Sequence, residues 1–414
     1  MKRRAFLSSA GLSIVAFGSG FLPSFTPTFA QSLSSASTQR KRVLVCIFQR
    51  GAMDGLMAVS PFTDEHFLAS RNRLRMSVGE KGLLDLNSRF GLHPAFAPFK
   101  QFYTDATLGI IHGIGSSAGT RSHFDAQDYM ENGTPGRKSS SGWLNRAASA
   151  LPSSTSPLQL VSLTPALPLS LYGDHEAIAI DDINNLSIRT NASAAANTSS
   201  AESFEQLYAQ TNQELLRGAG KESFSTMKLL SPDALKNYTP KADARYPASP
   251  LGNHLKQTAQ LIKMNVGVEI AFVESNGWDT HVQQGTVNGQ FARSARDLSE
   301  SVAAFWRDLD GYHDDVCVMT MTEFGRTVRE NGSGGTDHGT ASCMFVLGGN
   351  VKGGSVYGTV PVLAPENLAD GRDLPVTTDF RSLFAGVAKY HCGIKNTASL
   401  FPDWNGQLMN VFKG

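Results

Sequence analysis

Apolar residues in this chain fall into short unbroken runs separated by polar, glycine-containing connections. Val43 to Phe48, Thr107 to Ile114, Val266 to Glu274, Val316 to Thr322 and Cys343 to Leu347 are such runs. Runs of this length without alternation predict strands buried on both faces, as in a parallel sheet. Phe291 to Leu309 has a different period. Ala295, Leu298, Val302, Phe305 and Leu309 recur at helical spacing and predict an amphipathic helix. Pro94 to Phe102 reads as a short helix, and Ser122 to Glu131 as a helix with Ser122 as its N-cap. Strands alternating with helices predict an α/β class with a mainly parallel central sheet. Residues 150 to 260 are less periodic and more polar. They are expected to form an insertion or cap on a main domain spanning 41 to 414, with a helix over Ser203 to Leu216.

The amino terminus departs from this pattern. Arg3 and Arg4 precede a moderately apolar stretch, Ala5 to Leu22, broken by Gly and Ser. Thr28-Phe29-Ala30 then offers a small-x-small cleavage site. Residues 1 to 30 are therefore expected to be a twin-arginine signal, and the Ser-rich residues 31 to 40 a linker. Pro23, Pro27 and the shortness of the apolar span argue against a membrane anchor, and no later segment reaches spanning length. The expected location is the periplasm. With 37 Lys and Arg against 36 Asp and Glu, nothing favours nucleic acid or a polybasic membrane patch. Of the four cysteines, Cys46, Cys317 and Cys343 lie inside apolar runs. Free core thiols are expected over disulfides, despite the oxidising compartment.

Candidate chemistry gathers just after the predicted strands. Asp54 follows the first. Ser122, His123 and Asp125 follow the second. Asp279 and His281 follow the third, and Glu323 closes the fourth. Asp337 and His338 lie on the Gly-rich stretch beyond it. In a parallel sheet these loops share one side, where α/β proteins place their sites. Carboxylates with imidazoles and no thiolate suit zinc, manganese or another divalent ion, and six such groups could hold one or two. Each element also has a plainer explanation. Asp54 can be a turn residue, Asp279 an Asx-turn or helix cap, Glu323 an ion-pair partner of Arg326, and Ser122 an ordinary cap. Their recurrence after successive strands favours a site. There is no strand–GxGxxG–helix context.

The segments QRGAMDGL, GLHPAFAPF, SHFDAQDYMENG, GWDTH, MTEFGR, GTDHGT, VLGGNVKGG and TDFRS, taken together, resemble the exported bacterial family called domain of unknown function 1501. That family looks like a branch of the alkaline phosphatase and sulfatase superfamily. The resemblance implies a three-layer α/β sandwich with a one- or two-metal site. It implies Asp54 as the first-strand ligand, Asp279 and His281 as a ligand pair, and His338 as the last histidine ligand. Glu323 stands where the superfamily usually has Asp-His, and Glu323-Phe324 therefore lacks an imidazole there. Ser122 is the best match for the nucleophile, although no sulfatase Cys/Ser-x-Pro-x-Arg motif surrounds it.

The expectation is thus a periplasmic, metal-dependent hydrolase of phosphate or sulfate esters. Asp54, Asp279, His281, Glu323, Asp337 and His338 would hold the metal. Ser122 or a metal-activated water would attack, and His123 and Arg326 would stabilise the transferred anion or leaving group. The partner would be a small anionic ester. The alternative is a non-catalytic exported binding or assembly protein on the same fold, with an exported protein as its partner.

Overall fold

The computed structural model describes residues 40–185, Glu205 and 223–413. The expected signal segment, nearly all of the linker, and the 203–216 helix apart from Glu205 lie outside the described residues.

The Val43–Gln49 strand is central, and every residue in it is buried. It pairs in parallel with Ile270–Ser275 on one side and Val316–Met321 on the other. The main sheet runs 355–357, 108–115, 342–348, 316–321, 43–49, 270–275, 160–162, 178–179, with 378–379 also pairing the 108–115 strand. The pairings are parallel except at Ser342–Gly348, which runs antiparallel to both of its neighbours. Apolarity alone could not reveal that reversal, because a strand buried on both faces reads the same in either direction. The reversal matters for position: it brings the start of this strand, and the residues just before it, to the edge where the parallel strands end.

Successive side chains of a strand point to opposite faces, and this sheet has two cores. Val43, Val45 and Ile47 face one cluster with Ala271, Val273, Val318 and Phe345. Leu44, Cys46 and Phe48 face the other with Phe272, Met319 and Val346. Over the first face pack the helices Ala97–Thr104, Pro250–Lys263 and Gln290–Asp308. Phe291, Ala295, Leu298, Val302 and Phe305 are the buried stripe of the last of these, as their spacing predicts. Over the second face pack Trp143–Ala150 and Phe380–Tyr390, with Trp143 stacked on Phe384 and Phe401. The architecture is therefore α/β/α around a mainly parallel sheet. The strands Leu160–Ser162 and Ile178–Ala179 extend its edge, so the described part of 150–260 is built into the sheet and its helical layer. No described helix is long and apolar enough to cross a membrane.

The four cysteines are unpaired. Burial pushes the Cys46 and Cys317 thiols well up, so they act as small apolar side chains.

Candidate metal centre

The carboxyl edge of the sheet carries a set of imidazoles. Helix His123–Asn132 begins there, with Ser122 as N-cap and Gly133 in the left-handed region as its stop. Thr336–His338, expected in a loop, instead forms a short strand antiparallel to Arg326–Glu330. The turn 279–281 leaves the Ile270–Ser275 strand. Two glycines make these approaches possible. Gly51 has φ +113°, and a β-carbon there would meet the Asp279 amide at 2.5 Å. At Gly325 a β-carbon would lie 1.7 Å from the Ala341 carbonyl oxygen.

Two Nε2 atoms approach a third. His338 Nε2 lies 3.0 Å from His123 Nε2 and 2.8 Å from His281 Nε2. Asp279 closes the set, its carboxylate oxygens 3.2 Å from His281 Nε2 and 3.7 Å from the Nε2 atoms of His123 and His338. His123, Asp279 and His338 offer ligand atoms all within 4.8 Å of one another, and His281 adjoins them.

The other ring nitrogens decide where the protons are. His123 Nδ1 is 2.8 Å from Glu323 Oε1, His281 Nδ1 is 3.2 Å from Asp337 Oδ1, and His338 Nδ1 is 2.9 Å from the Arg121 carbonyl. A carbonyl or ionised carboxylate only accepts, so each Nδ1 carries the hydrogen. Each ring then turns its Nε2 toward the others. His123, His338 and Asp279 are thus a donor set that could hold a cation. Carboxylate– and carbonyl–histidine pairs are the usual means of orienting metal-binding imidazoles. A Zn–N bond of about 2.0–2.1 Å in tetrahedral geometry places nitrogens about 3.3 Å apart. The His338 separations from His123 and His281 are a few tenths of an ångström shorter, and His281 stands outside the set whose ligand atoms all lie within 4.8 Å of one another.

The electrostatics agree with this. Desolvation, then the nearby charge of Arg326, hold His338 below its ordinary pKa, so the ring is neutral at neutral pH. Burial alone would raise Asp279, but the Arg326 hydrogen bond and charge outweigh it and keep the carboxyl below its usual range. For Glu323, too, desolvation is outweighed, here by donors from His123, Gln127 and Gly51. Asn331, ahead of His281, lowers Asp337.

The segment Glu323-Phe324-Gly325-Arg326 is the frame of the site. Glu323 is fully buried and its Oε1 also accepts the Gly51 amide at 2.9 Å. Phe324 packs against both His123 and His338, with ring centroids 4.9 and 5.0 Å away. Arg326 is buried. It donates to the carbonyls of Gly51, Ala52, Trp278 and Thr336, and to Asp279 Oδ1 at 2.5 Å. Its guanidinium is thus committed to holding two loops and one carboxylate.

The expected site residues divide accordingly. His123, Asp279, His281 and His338 come together, with His123 offering a possible ligand atom. Glu323 and Asp337 reach the cluster through the rings they orient. Asp54 does not join it. Its carboxylate is buried, caps Gly55–Ala58, takes both amine ends of Arg71 at 2.7 and 3.0 Å, and accepts Gln284 Nε2 at 2.8 Å. The Ser122 hydroxyl accepts the Asp125 amide at 3.5 Å in a capping geometry, and no described hydrogen bond joins it to an imidazole. Gln127 and Arg50, which the motif reading passed over, also reach the site. Gln127 stands four residues after His123 on the same helix, a spacing that puts both on one face. A cavity of about 250 Å³ lined by Val43, Val268 and Tyr312 lies at the opposite, amino-terminal end of the strands and is remote from this chemistry.

A family model described as "Protein of unknown function (DUF1501)" matches residues 111–400. The chain belongs to this family. The match takes in His123, Asp279, His281, Glu323 and His338, whereas Arg50 and Asp54 precede it. No curated protein matches the sequence. Among solved structures, the zinc complex of the C-terminal periplasmic domain of EptC from Escherichia coli is 9% identical, with a TM-score of 0.32, covering 75% of this chain and 73% of that one. Alkaline phosphatase PafA is 11% identical, TM-score 0.33, covering 71% and 64%. Phosphonate monoester hydrolase from Silicibacter pomeroyi is 11% identical, TM-score 0.33, covering 88% and 78%.

Proposed function

We propose that this protein is a periplasmic, metal-dependent hydrolase of phosphate or sulfate esters, with His123, His338, Asp279 and His281 holding the ion. The observation that carries the reading is the approach of the His123 and His338 Nε2 atoms to one carboxylate, with His281 Nε2 beside them. A nitrogen-rich, thiolate-free set of this kind suits zinc, with manganese as the runner-up. When bound, a divalent ion polarises an ester oxygen and makes a water nucleophilic near neutral pH.

The chain's own residues supply the rest. Glu323, Asp337 and the Arg121 carbonyl fix the three rings. Arg326 keeps Asp279 ionised and holds the 51–52 and 278–279 loops together. The amino-terminal end of helix His123–Asn132 faces the cluster, where its dipole favours an anionic ester. Arg372 donates to the His338 carbonyl and is 45% exposed, so it is placed to meet such an anion at the rim. With the Ser122 hydroxyl in a cap, water is the favoured nucleophile. Arg3-Arg4 supports delivery by the twin-arginine route.

The test is elemental analysis of the exported protein, followed by a panel of phosphate mono- and diesters and sulfate esters. The expected result is bound zinc, turnover abolished by a chelator, and turnover restored by zinc. Protein that retains no divalent metal and hydrolyses nothing overturns the proposal. Tightly bound metal without turnover on any ester would leave the site but move the protein to a binding or assembly role.

A further inference from the structure

We infer that Arg50 and Gln127 are positioning residues that act through Glu323 to hold His123 with its Nε2 lone pair aimed at the cluster. The inference rests on the reading of that cluster as a cation site.

The argument follows one line of hydrogen bonds. Arg50 stands between two carboxylates, donating to Glu131 at 2.7 Å and to Glu274 at 3.0 and 2.7 Å. Glu131 is itself anchored by the amide and hydroxyl of Ser170. The same guanidinium donates to Gln127 Oε1 at 3.2 Å. A guanidinium has no acceptor, so the Gln127 amide has a single orientation: oxygen to Arg50, amine to the far side. That amine donates to Glu323 Oε1 at 3.0 Å. Glu323 Oε1 therefore receives three donors, from Gln127, the Gly51 amide and His123 Nδ1. A buried carboxylate oxygen so occupied has no place for a proton of its own. The hydrogen on the His123 contact belongs to Nδ1, and Nε2 is left bare toward His338 and Asp279.

The arrangement is directional. Reversing the Gln127 amide would put an NH2 group against Arg50 and an oxygen against a carboxylate. Arg50, rooted in Glu131 and Glu274, forbids that. Neither Arg50 nor Gln127 touches the ligand atoms, and the turn that carries Arg50 also delivers the Gly51 amide. One turn of the central strand thus reaches Glu323 twice, once directly and once through helix His123–Asn132.

Two substitutions separate this role from a merely structural one. Gln127→Met keeps the volume and removes the donor. Gln127→Glu keeps the shape and strengthens the contact with Arg50, but faces Glu323 with a second carboxylate. If Gln127 only braced Arg50, Gln127→Glu would bind zinc like the parent protein. As a positioning residue it loses zinc affinity in both variants, by about 10- to 100-fold, with the melting temperature of the metal-free protein nearly unchanged in Gln127→Met. Nitrogen-15 spectra of the histidines in metal-free protein give a readout that needs no metal. His123 is expected as the single Nδ1–H form in the parent and as a mixture of both forms in Gln127→Met. An Nε2–H form in the parent, or variants equal to the parent in both affinity and tautomer, overturns the inference. Parent protein that binds no zinc but shows the expected tautomers overturns the metal reading and leaves the positioning line standing.

Discussion

Two polar assemblies occupy the same end of this sheet, and they are built on opposite principles. Around Asp54 every charge is met: Arg71 gives two hydrogen bonds, Gln284 a third, the Met57 amide a fourth, and both charged side chains are fully buried. Around Asp279 acceptors outnumber donors. Arg326 satisfies one oxygen, and three imidazoles turn their Nε2 atoms toward one another and toward the carboxylate. Asp279 is 48% exposed, and His123 and His338 are 24% exposed. The closed assembly contributes to the fold. The open one leaves acceptors that the proposed cation would meet. Both contain an aspartate just beyond a strand, so the difference lies in what the surrounding donors leave over.

The largest expected effect falls on the closed part of the molecule and comes with acid. His93, His112 and His391 are buried and neutral, with pKa values lowered by desolvation to about 4 from 6.5. A base whose folded pKa lies below its unfolded value takes up its proton more readily when unfolded. Stability is therefore complete above about 6.5, falls as the pH drops below it, and stops falling below about 4. Each ring is worth about 3 kcal/mol over that span. Denaturant midpoints measured from pH 7.5 to 3.5 should fall across this window in metal-free protein. A flat profile would mean that these rings are not held neutral by the core.

Next is the closed assembly itself. Arg71→Met leaves the Asp54 carboxylate buried without its counter-charge and should cost about 3–5 kcal/mol. Whatever remains folded should bind zinc as the parent does. If Arg71→Met abolished zinc binding without loss of stability, Asp54 would belong to the metal set after all.

His338→Ala should behave in the opposite way. It removes the ring that touches both other imidazoles, so zinc affinity should fall by more than about 100-fold. The metal-free melting temperature should hold or rise slightly, because a lone pair facing two others is removed. A large loss of metal-free stability would instead make His338 part of the scaffold.

Much of this was legible from sequence for a simple reason. Strand ends deliver side chains to one edge, and apolar runs mark strands. Thus Asp279, His281 and Glu323 could be placed together, and the Gln290–Asp308 helix follows directly from its apolar spacing. Partnership was not legible. Asp54 and Asp279 look alike until Arg71, 17 residues on, turns out to lie against one of them. Glu323 reads as a ligand, but it lies buried behind the His123 ring and contacts its Nδ1. His338 reaches the site because Ser342–Gly348 runs antiparallel, and burial on both faces conceals strand direction. Gln127 carried the one signal available in advance, its four-residue offset from His123.

The smallest effect tests the residue on which sequence and structure pull furthest apart. Ser122 sits beside His123 at a helix start, where a nucleophile would gain from the dipole. Its hydroxyl instead accepts the amide of Asp125. A cap of this kind is worth about 1 kcal/mol, so Ser122→Ala should lower the melting temperature by a few degrees. Because the cap also fixes the first turn that carries His123, turnover should fall modestly, by less than about tenfold, with zinc content unchanged. Ser122→Asp, which can cap as well, should restore the lost stability. A nucleophile predicts another pattern: Ser122→Ala would lose turnover by several orders of magnitude at unchanged stability, and Ser122→Asp would restore nothing. Stability and rate measured on the same two variants therefore assign the hydroxyl either to the frame that holds the imidazoles or to the chemistry between them.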